Sequence, residues 1–123
     1  MHKSKLGTIV IDCKTTDLNA AANFWGNALG LSQSPERDPK YISLIAGADG
    51  LDIEVQSVDH PSRVHIDIET NDIPAEVKRL ELLGAKMVSK LDKWCVMIAP
   101  TGQRFCIVPI QTDNFEVQAN VWD

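Results

Sequence analysis

The sequence is poor in cysteine, and the cysteines that it has are far apart. Cys13, Cys95 and Cys106 form no closely spaced pair, which excludes a zinc ribbon and a CxxC redox motif. An odd number of cysteines also argues against a disulfide framework. We therefore expect a reducing, cytoplasmic environment for this protein.

The sequence also lacks a basic excess and a long apolar segment. Its 17 acidic and 12 basic residues are interspersed and give a formal net charge of −5, which argues against a nucleic-acid partner. The apolar run near the amino terminus extends only from Thr8 to Ile11 before Asp12 interrupts it. That run is too short for a signal peptide or a membrane span, so we expect no membrane partner.

An internal repeat is the most informative feature that the sequence does contain. Residues 9–18 (IVIDCKTTDL) resemble residues 64–73 (VHIDIETNDI), and such repeats are examined before individual elements are assigned. The identical positions are Ile11, Asp12, Thr15 and Asp17, which match Ile66, Asp67, Thr70 and Asp72. Each copy alternates apolar residues and then changes to helical spacing. Both copies therefore predict a strand followed by a helix.

The two predicted helices have the same terminal signals. Asp17 and Asp72 are suited to cap their amino termini, and Pro74 fits the first turn of the second helix. Gly30 and Gly84 are suited to end them, each after a leucine. The predicted apolar stripes are Leu18, Ala21, Ala22, Trp25, Ala28 and Leu29 in the first helix, and Ile73, Val77, Leu80 and Leu83 in the second.

Three short strands are predicted after each helix. They cover residues 31–34, 41–46 and 51–58 in the first half, and residues 86–91, 94–99 and 104–110 in the second. Turn residues at 47–50 and 100–102 separate the last two strands of each half. A second similarity, between residues 50–56 and 102–108, supports the duplication. Both halves thus follow the order βαβββ.

This order and its duplication resemble the vicinal oxygen chelate superfamily, the group of glyoxalases, bleomycin resistance proteins and extradiol dioxygenases. The residues that carry the resemblance are Phe24-Trp25 before Leu29-Gly30, the segment Arg63-Val64-His65-Ile66-Asp67, Arg79-Leu80, Leu83-Gly84-Ala85 and the segment 99–105. They look most like the glyoxalase-like branch. The resemblance covers residues 6–110. It implies one α+β domain in which two βαβββ modules, about 6–58 and 62–110, form a cupped, partly open, eight-stranded barrel-like sheet with two main helices.

Strand alternation predicts which side chains face the cup. Successive residues of a strand point to opposite sides of a sheet, so we expect Val64, Ile66 and Ile68 beneath the helices. The polar residues of the same strand would then face the cup, together with Val10 and Asp12 of the first strand. The predicted cleft, which is the default site for a small-molecule ligand, is lined by Glu54, Gln56, Arg63, His65, Asp67, Arg104 and Cys106.

The resemblance also implies where a divalent metal would bind. Metal-dependent members of the superfamily have ligands on the first and last strands of each half, which by the repeat correspond to Val10, Glu54, His65 and Cys106 here. Valine cannot coordinate a metal, and a thiolate in place of a carboxylate would favour zinc. We therefore expect no resident cofactor, with a single divalent ion as the alternative.

His65 and Glu54 each have a chemical and a structural interpretation. His65 could be a metal ligand or a general base, or it could be held in a buried polar network. Glu54 could be a ligand, a base, or the ion-pair partner of Arg63 or Arg104. Cys106 could act as a ligand or as a small buried apolar residue.

Two functions remain open on the sequence alone. One is a metal-free protein that binds a small molecule in the cup. The other is a metal-dependent lyase, isomerase or dioxygenase of the glyoxalase kind, which would stabilise an enediolate-like oxyanion through the metal. We expect a homodimer, as is common in the superfamily. The apolar tail 111–123 could cover the cup or pack on the partner chain, of which we prefer the second, and we expect His2 and His60 at the surface.

Overall fold

The computed structural model describes residues 1–47 and 50–123, so the predicted turn at 47–50 lies partly outside the described residues. The described chain contains three helices and nine strands. Their bounds are β1 His2–Lys14, α1 Leu18–Leu29, β2 Ser32–Gln33, β3 Tyr41–Ile45, β4 Ile53–Val58, β5 Arg63–Thr70, α2 Ile73–Leu82, β6 Lys86–Lys90, β7 Cys95–Ile98, β8 Arg104–Pro109, α3 Phe115–Gln118 and β9 Asn120–Trp122.

The chain forms two compact units that follow the sequence repeat. The first-repeat unit is Thr8–His65, and the second-repeat unit is Met1–Gly7 together with Ile66–Asp123. In the first-repeat unit the strand order is β2-β3-β4-β1, with β1 parallel to β4 and the other pairs antiparallel. In the second-repeat unit it is β5-β8-β7-β6, with β5 parallel to β8 and the other pairs antiparallel. The two orders are identical when the first is read from β1, as β1-β4-β3-β2, and the second from β5. This identity confirms the predicted α+β fold of two βαβββ modules.

Both main helices begin and end as the sequence predicts. The Asp17 carboxylate accepts a hydrogen bond from the Ala20 backbone N–H at 3.0 Å, and Asp72 does the same for Ala75 at 3.1 Å. Each cap satisfies a backbone donor that has no partner within its helix. Gly30 ends α1 with a φ of 70°, a conformation that glycine adopts without strain.

The buried face of α1 is narrower than its predicted apolar stripe. Ala22 and Gly26 are its buried residues, whereas Leu29 is 44% exposed. A Cβ atom at position 26 would lie 3.1 Å from the Leu31 carbonyl oxygen, so glycine permits the close approach of the helix end. Trp25, expected in the core, is only partly buried and packs edge-on against the Phe24 ring at 5.0 Å.

The core of each unit lies between its helix and its sheet. In the second-repeat unit the buried cluster comprises Val77, Leu80, Ala85, Cys95, Met97, Phe105 and Ile107. Phe105 and Ile107 alternate on β8, which confirms the predicted inward face of that strand. In the first-repeat unit Ile42, Leu44 and Val55 are at most 2% exposed.

The two faces of β5 differ from the prediction. Val64 is 61% exposed and Ile66 is 41% exposed, so neither packs beneath a helix, and only Ile68 of the three contacts the apolar cluster. On the polar face, Glu69 is fully buried. The alternation predicted which residues share a face, but not which face is covered.

The carboxyl-terminal tail packs in part on its own chain, and its contact with a partner stays a prediction. Strand β9 pairs antiparallel with the beginning of β1, with His2 opposite Trp122. Phe115 of α3 is only 1% exposed. The tail therefore adds a third helix and a ninth strand to the predicted elements.

His2 is buried rather than at the surface. Its Nε2 atom lies 2.8 Å from Oε1 of Glu76, which is itself fully buried on α2. Glu76 also accepts two hydrogen bonds from Arg79, each at 2.8 Å. This cluster fixes the amino-terminal strand to α2.

Among the described residues, no helix is long and apolar enough to cross a bilayer.

Candidate functional site

The clearest polar arrangement in the first-repeat unit joins Asp12 of β1 to His65 at the start of β5. The Nδ1 atom of His65 lies 2.8 Å from Oδ2 of Asp12. Asp12 is 2% exposed, and its burial favours a strong interaction with a hydrogen-bond donor. An ionised carboxylate accepts hydrogen bonds only, so Nδ1 of His65 would be the donor to an ionised Asp12.

Arg63 lies on the other side of the same carboxylate. Its Nε atom is 3.8 Å from Oδ2 of Asp12, and its Nη2 atom lies 3.4 Å from Nε2 of His60. Nδ1 of His60 in turn lies 2.9 Å from the Pro61 carbonyl oxygen. The predicted ligand-binding residue Arg63 and the candidate base His65 therefore share one buried acceptor.

Oδ1 of Asp12 is buried and accepts no hydrogen bond within the described residues. A buried charged acceptor without a donor costs on the order of 1–3 kcal/mol or more. The position thus favours a bound water or a ligand that donates a hydrogen bond.

Glu54, the other candidate catalytic residue, lies opposite Val10. The two are register partners on the parallel strands β4 and β1. Val10 is 1% exposed and has no donor atom for a metal. The resemblance implies a metal ligand at both positions. Glu54 could serve as one of them, but the buried Val10 beside it cannot.

The strand registers also change the alignment of the two repeats. Asp12 pairs with Gln56, and its repeat equivalent Asp67 pairs with Cys106. Gln56 is therefore the structural equivalent of Cys106, and by the same spacing Glu54 corresponds to Arg104. The similarity between residues 50–56 and 102–108 is displaced by two residues from the register. The residue of the second repeat that is equivalent to Glu54 is therefore Arg104 and not Cys106. Both residues lie on the same face of β8, because a displacement of two residues preserves strand alternation.

These observations do not fit a complete superfamily metal site. Of the four positions, the register leaves Glu54 and His65 as donors, with Val10 and Arg104 in the other two. Arginine carries no lone pair for a metal. Within residues 1–47 and 50–123, an ion would therefore need donors beyond these four positions.

Such a set is confined to His65, Asp67 and Cys106 among the described residues. His65 and Asp67 are alternate residues of β5, and Cys106 is the register partner of Asp67 on β8. The three are partly buried. Imidazole, carboxylate and thiolate together are ligand types that zinc accepts.

Tyr41 adds a phenol to the polar face of the first-repeat unit. It is the register partner of Gln56 on β3. Burial raises the pKa of Tyr41, and the negative charges of Asp38, Glu54 and Glu36 raise it further. The phenol is thus a neutral hydrogen-bonding group at neutral pH.

A depression of about 920 Å³ lies at the ends of β1 and β4 and reaches one predicted ligand-binding residue, Gln56. Its other lining residues include Lys14, Thr16, Lys40 and His60. A volume of this size can hold a small molecule.

Asp12 and Tyr41 are two polar residues of the site region that the sequence did not predict as site residues. Alternation already placed Asp12 on the same face as Val10, but nothing in the sequence indicated that it contacts His65, 53 positions away. For Tyr41 the available signal was its alternation with two buried apolar residues of β3, Ile42 and Leu44.

Solved structures share this fold at low sequence identity. A hypothetical protein from Bacillus halodurans C-125 has a TM-score of 0.63 at 14% identity, with 89% of this chain and 96% of that chain covered. A glyoxalase/bleomycin resistance protein/dioxygenase superfamily member from Vibrio splendidus 12B01 has a TM-score of 0.54 at 18% identity, covering 89% and 100%. At these identities the comparisons establish the fold alone.

A glyoxalase with bound Mn(II) from Novosphingobium aromaticivorans also shares the fold, with a TM-score of 0.60 at 18% identity. The match covers 89% of this chain but only 40% of the glyoxalase. No curated protein matches the sequence. The family described as glyoxalase-like domain matches residues 8–108, which is most of the chain, and the protein therefore belongs to the glyoxalase-like domain family.

Proposed function

We propose that this protein binds a small molecule on the polar face of its βαβββ modules without a complete superfamily metal site. The observation that carries the proposal is Val10, an apolar residue that is 1% exposed directly opposite Glu54. Removing one ligand from a four-residue site weakens metal binding strongly, whereas a pocket for an organic ligand needs only a few polar anchors.

In this proposal the polar residues hold and orient the ligand. Glu54 and His65, the candidate catalytic residues, are hydrogen-bonding anchors. Gln56, Arg63, Asp67 and Arg104 are the predicted ligand contacts, and the two arginines would bind a carboxylate or another acidic group of the ligand. No covalent chemistry is required of any of them.

A ligand screen with matched variants tests the proposal. Compounds are screened against the wild-type protein by ligand-observed NMR, and the hits are titrated against Glu54→Ala and His65→Ala. We expect both variants to weaken binding at least about tenfold, which corresponds to one lost hydrogen bond to a charged group. Glu81→Ala is the control, because Glu81 is an exposed residue of α2, and it should bind the hits normally. Equal affinity of all variants would contradict the proposal.

The second candidate is a metal-dependent lyase, isomerase or dioxygenase. It is supported by the alternation of His65 and Asp67 on β5 and by the pairing of Asp67 with Cys106. This set omits Glu54 and uses an aspartate outside the four superfamily positions. It predicts stoichiometric zinc that is lost in Asp67→Asn, and a turnover that is lost with the metal. The metal-free proposal predicts neither result.

We also propose that the protein is a homodimer. Val64 and Ile66, alternate residues of β5, are 61% and 41% exposed, and burying such side chains favours association by roughly 25 cal/mol per Å² of apolar surface. Sedimentation velocity tests this: the wild-type protein should sediment as a dimer, and Val64→Asp should shift it towards monomer. A wild-type monomer at micromolar concentration would be the contrary result.

A further inference from the structure

The depression of about 920 Å³ at the ends of β1 and β4 lies within the first-repeat unit. The two strands run parallel, and their last residues, Lys14 and Val58, are register partners. By strand alternation these two residues lie on the same face as Asp12 and Gln56. Gln56 also lines the depression. The depression therefore continues the face to which the proposed function assigns the ligand.

Two lysines supply positive charge to this depression. Lys14 and Lys40 both line it, and both are exposed. Across the described part of the chain, neither side-chain ammonium group forms a hydrogen bond or an ion pair. Asp59 is the acidic residue among the described lining residues. The lysines thus outnumber the acid here, although the protein as a whole has a net charge of −5.

The backbone at both lysines is held by hydrogen bonds. The Lys14 N–H donates to Oγ of Ser62 at 2.9 Å. The Lys40 N–H donates to Oδ1 of Asp38 at 2.8 Å, and the Lys40 carbonyl oxygen accepts from the Ser57 N–H at 2.8 Å. Because these backbone positions are already ordered, binding a ligand costs less conformational entropy.

The equivalent end of the second-repeat unit is covered by the protein itself. Glu69 is the register partner of Val108 on β8, as Lys14 is of Val58 on β4, so Glu69 and Lys14 are equivalent. Glu69 is fully buried and accepts a hydrogen bond from Thr112 of the tail. The first repeat thus has an exposed lysine where the second has a covered carboxyl group. An external partner of Lys14 would carry negative charge.

We propose that this depression binds an oxyanion, the phosphate or carboxylate group of a small molecule, through Lys14 and Lys40. Lysine carries a compact positive charge and three hydrogen-bond donors, which suit the oxygens of such a group. The exposed Thr16 lines the same depression and adds a hydroxyl donor. This inference rests on the proposed function for the rest of the ligand, which continues along the face from Gln56. The oxyanion site itself can be tested alone.

The test is a titration with inorganic phosphate at constant ionic strength, followed by the backbone amide signals in NMR spectra. In the wild-type protein we expect saturable shifts at the residues that line the depression. The double variant Lys14→Gln/Lys40→Gln should bind phosphate at least about tenfold more weakly, because it loses charged hydrogen bonds. Lys78→Gln/Lys86→Gln is the matched control. It removes the same charge from exposed residues of α2 and β6 and should leave the phosphate affinity unchanged.

Titrations with acetate and with sodium chloride complete the experiment. Saturable binding of phosphate or acetate that the Lys14→Gln/Lys40→Gln variant weakens supports the proposal and identifies the anionic group. Equal shifts with sodium chloride would mean that only general screening is observed, which overturns the proposal. Equal affinity of the two double variants would also overturn it, and so would the absence of saturable shifts with both oxyanions.

Lysine acetylation provides a second measurement that needs no variant. An N-hydroxysuccinimide ester acetylates accessible amines, and peptide mass spectrometry reports the rate for each lysine. Saturating phosphate should slow the acetylation of Lys14 and Lys40 severalfold relative to Lys78 in the same sample. Equal rates with and without phosphate at all three lysines would contradict the site. Phosphate binding at Lys14 and Lys40 together with a failed ligand screen would contradict the proposed function alone.

Discussion

Val10 and Glu54 lie opposite each other on parallel strands, one fully enclosed and apolar, the other a partly buried carboxylate. In the second repeat the equivalent of Val10 is His65. Of these two equivalent positions, one holds His65, which can bind a metal, and the other holds the apolar side chain of Val10. The simplest consequence is that Val10 removes one of the donors that a superfamily metal site would need.

Restoring a donor at position 10 should therefore create metal affinity. In Val10→His the new imidazole lies on the same face as Glu54, and we expect this variant to bind zinc or nickel more tightly than the wild-type protein does. Burying an imidazole should lower the free energy of unfolding of the metal-free variant by about 1–3 kcal/mol. Added metal should recover this stability, as calorimetry with and without metal can measure.

Ile9→His is the control for that experiment. Ile9 points to the opposite face of β1 by strand alternation and pairs with Ile53 rather than with Glu54. It should lose stability without gaining metal. Metal binding by both variants would show that any added histidine suffices, which contradicts the importance of the position.

The His2–Glu76–Arg79 cluster should contribute measurably to stability. Both carboxylate oxygens of the fully buried Glu76 are paired, so Glu76→Ala removes the partner of three nitrogen atoms, one of His2 and two of Arg79. We expect a loss of about 3 kcal/mol in the free energy of unfolding, as for other broken buried pairs. Urea denaturation measures the loss.

Glu116→Ala provides the comparison for the cluster. Its pair with Lys3 has a similar distance of 2.9 Å, but the Glu116 side chain is 69% exposed. Exposed pairs contribute less than about 1 kcal/mol. Equal losses in the two variants would mean that burial does not determine the strength of the Glu76 cluster.

The same cluster predicts a pH dependence. Burial raises the pKa of Glu76, but hydrogen bonds from Arg79, His2 and Ser4 outweigh that effect, and the pKa lies below its ordinary value of 4.5. Because the folded pKa is the lower one, ionised Glu76 stabilises the fold above pH 4.5 and this contribution is lost as the pH falls through the folded pKa. Wild-type stability should therefore fall more steeply below pH 4.5 than that of Glu76→Gln. Parallel curves for the two proteins would be the opposing result.

Trp122 should anchor the tail more strongly than its place at the chain end suggests. Its Nε1 atom donates a hydrogen bond to Oγ of the buried Ser4 at 2.8 Å, and the Arg79 guanidinium lies 3.9 Å from the ring centroid. We expect Trp122→Ala to cost about 2 kcal/mol. Trp122→Phe keeps the ring and should cost about 1 kcal/mol for the hydrogen bond.

Val121→Ala is the neutral comparison for the tail, since Val121 is 52% exposed on the same strand. It should change the free energy of unfolding by less than about 0.5 kcal/mol. If all three tail variants behaved alike, the tail would not be anchored through Trp122.

Local signals made the main elements predictable from the sequence. Asp17 and Asp72 cap helices within three residues of themselves, and the duplication of residues 9–18 predicted the order of both modules. The helix caps depend on residues that are close together in the chain. The order of the strands and helices follows from the hydrophobic periodicity and the internal repeat, both of which can be read from the sequence.

The missed features depend on residues far apart in the chain. His2 is buried because Glu76, 74 positions later, accepts its hydrogen bond, and the short strand β9 exists because β1 extends back to His2 and offers an edge. The exposure of Val64 likewise depends on which face other elements cover. Neither composition nor alternation contains that information, and for the same reason the contact of Asp12 with His65 required the structure.

The most direct test of the central claim is elemental analysis of metal per chain in protein purified without an affinity tag or a chelator, alongside His65→Ala and His60→Ala. The account predicts less than stoichiometric metal in all three proteins, with no dependence on His65. One zinc or other divalent ion per wild-type chain that is retained in His60→Ala and lost in His65→Ala would contradict it.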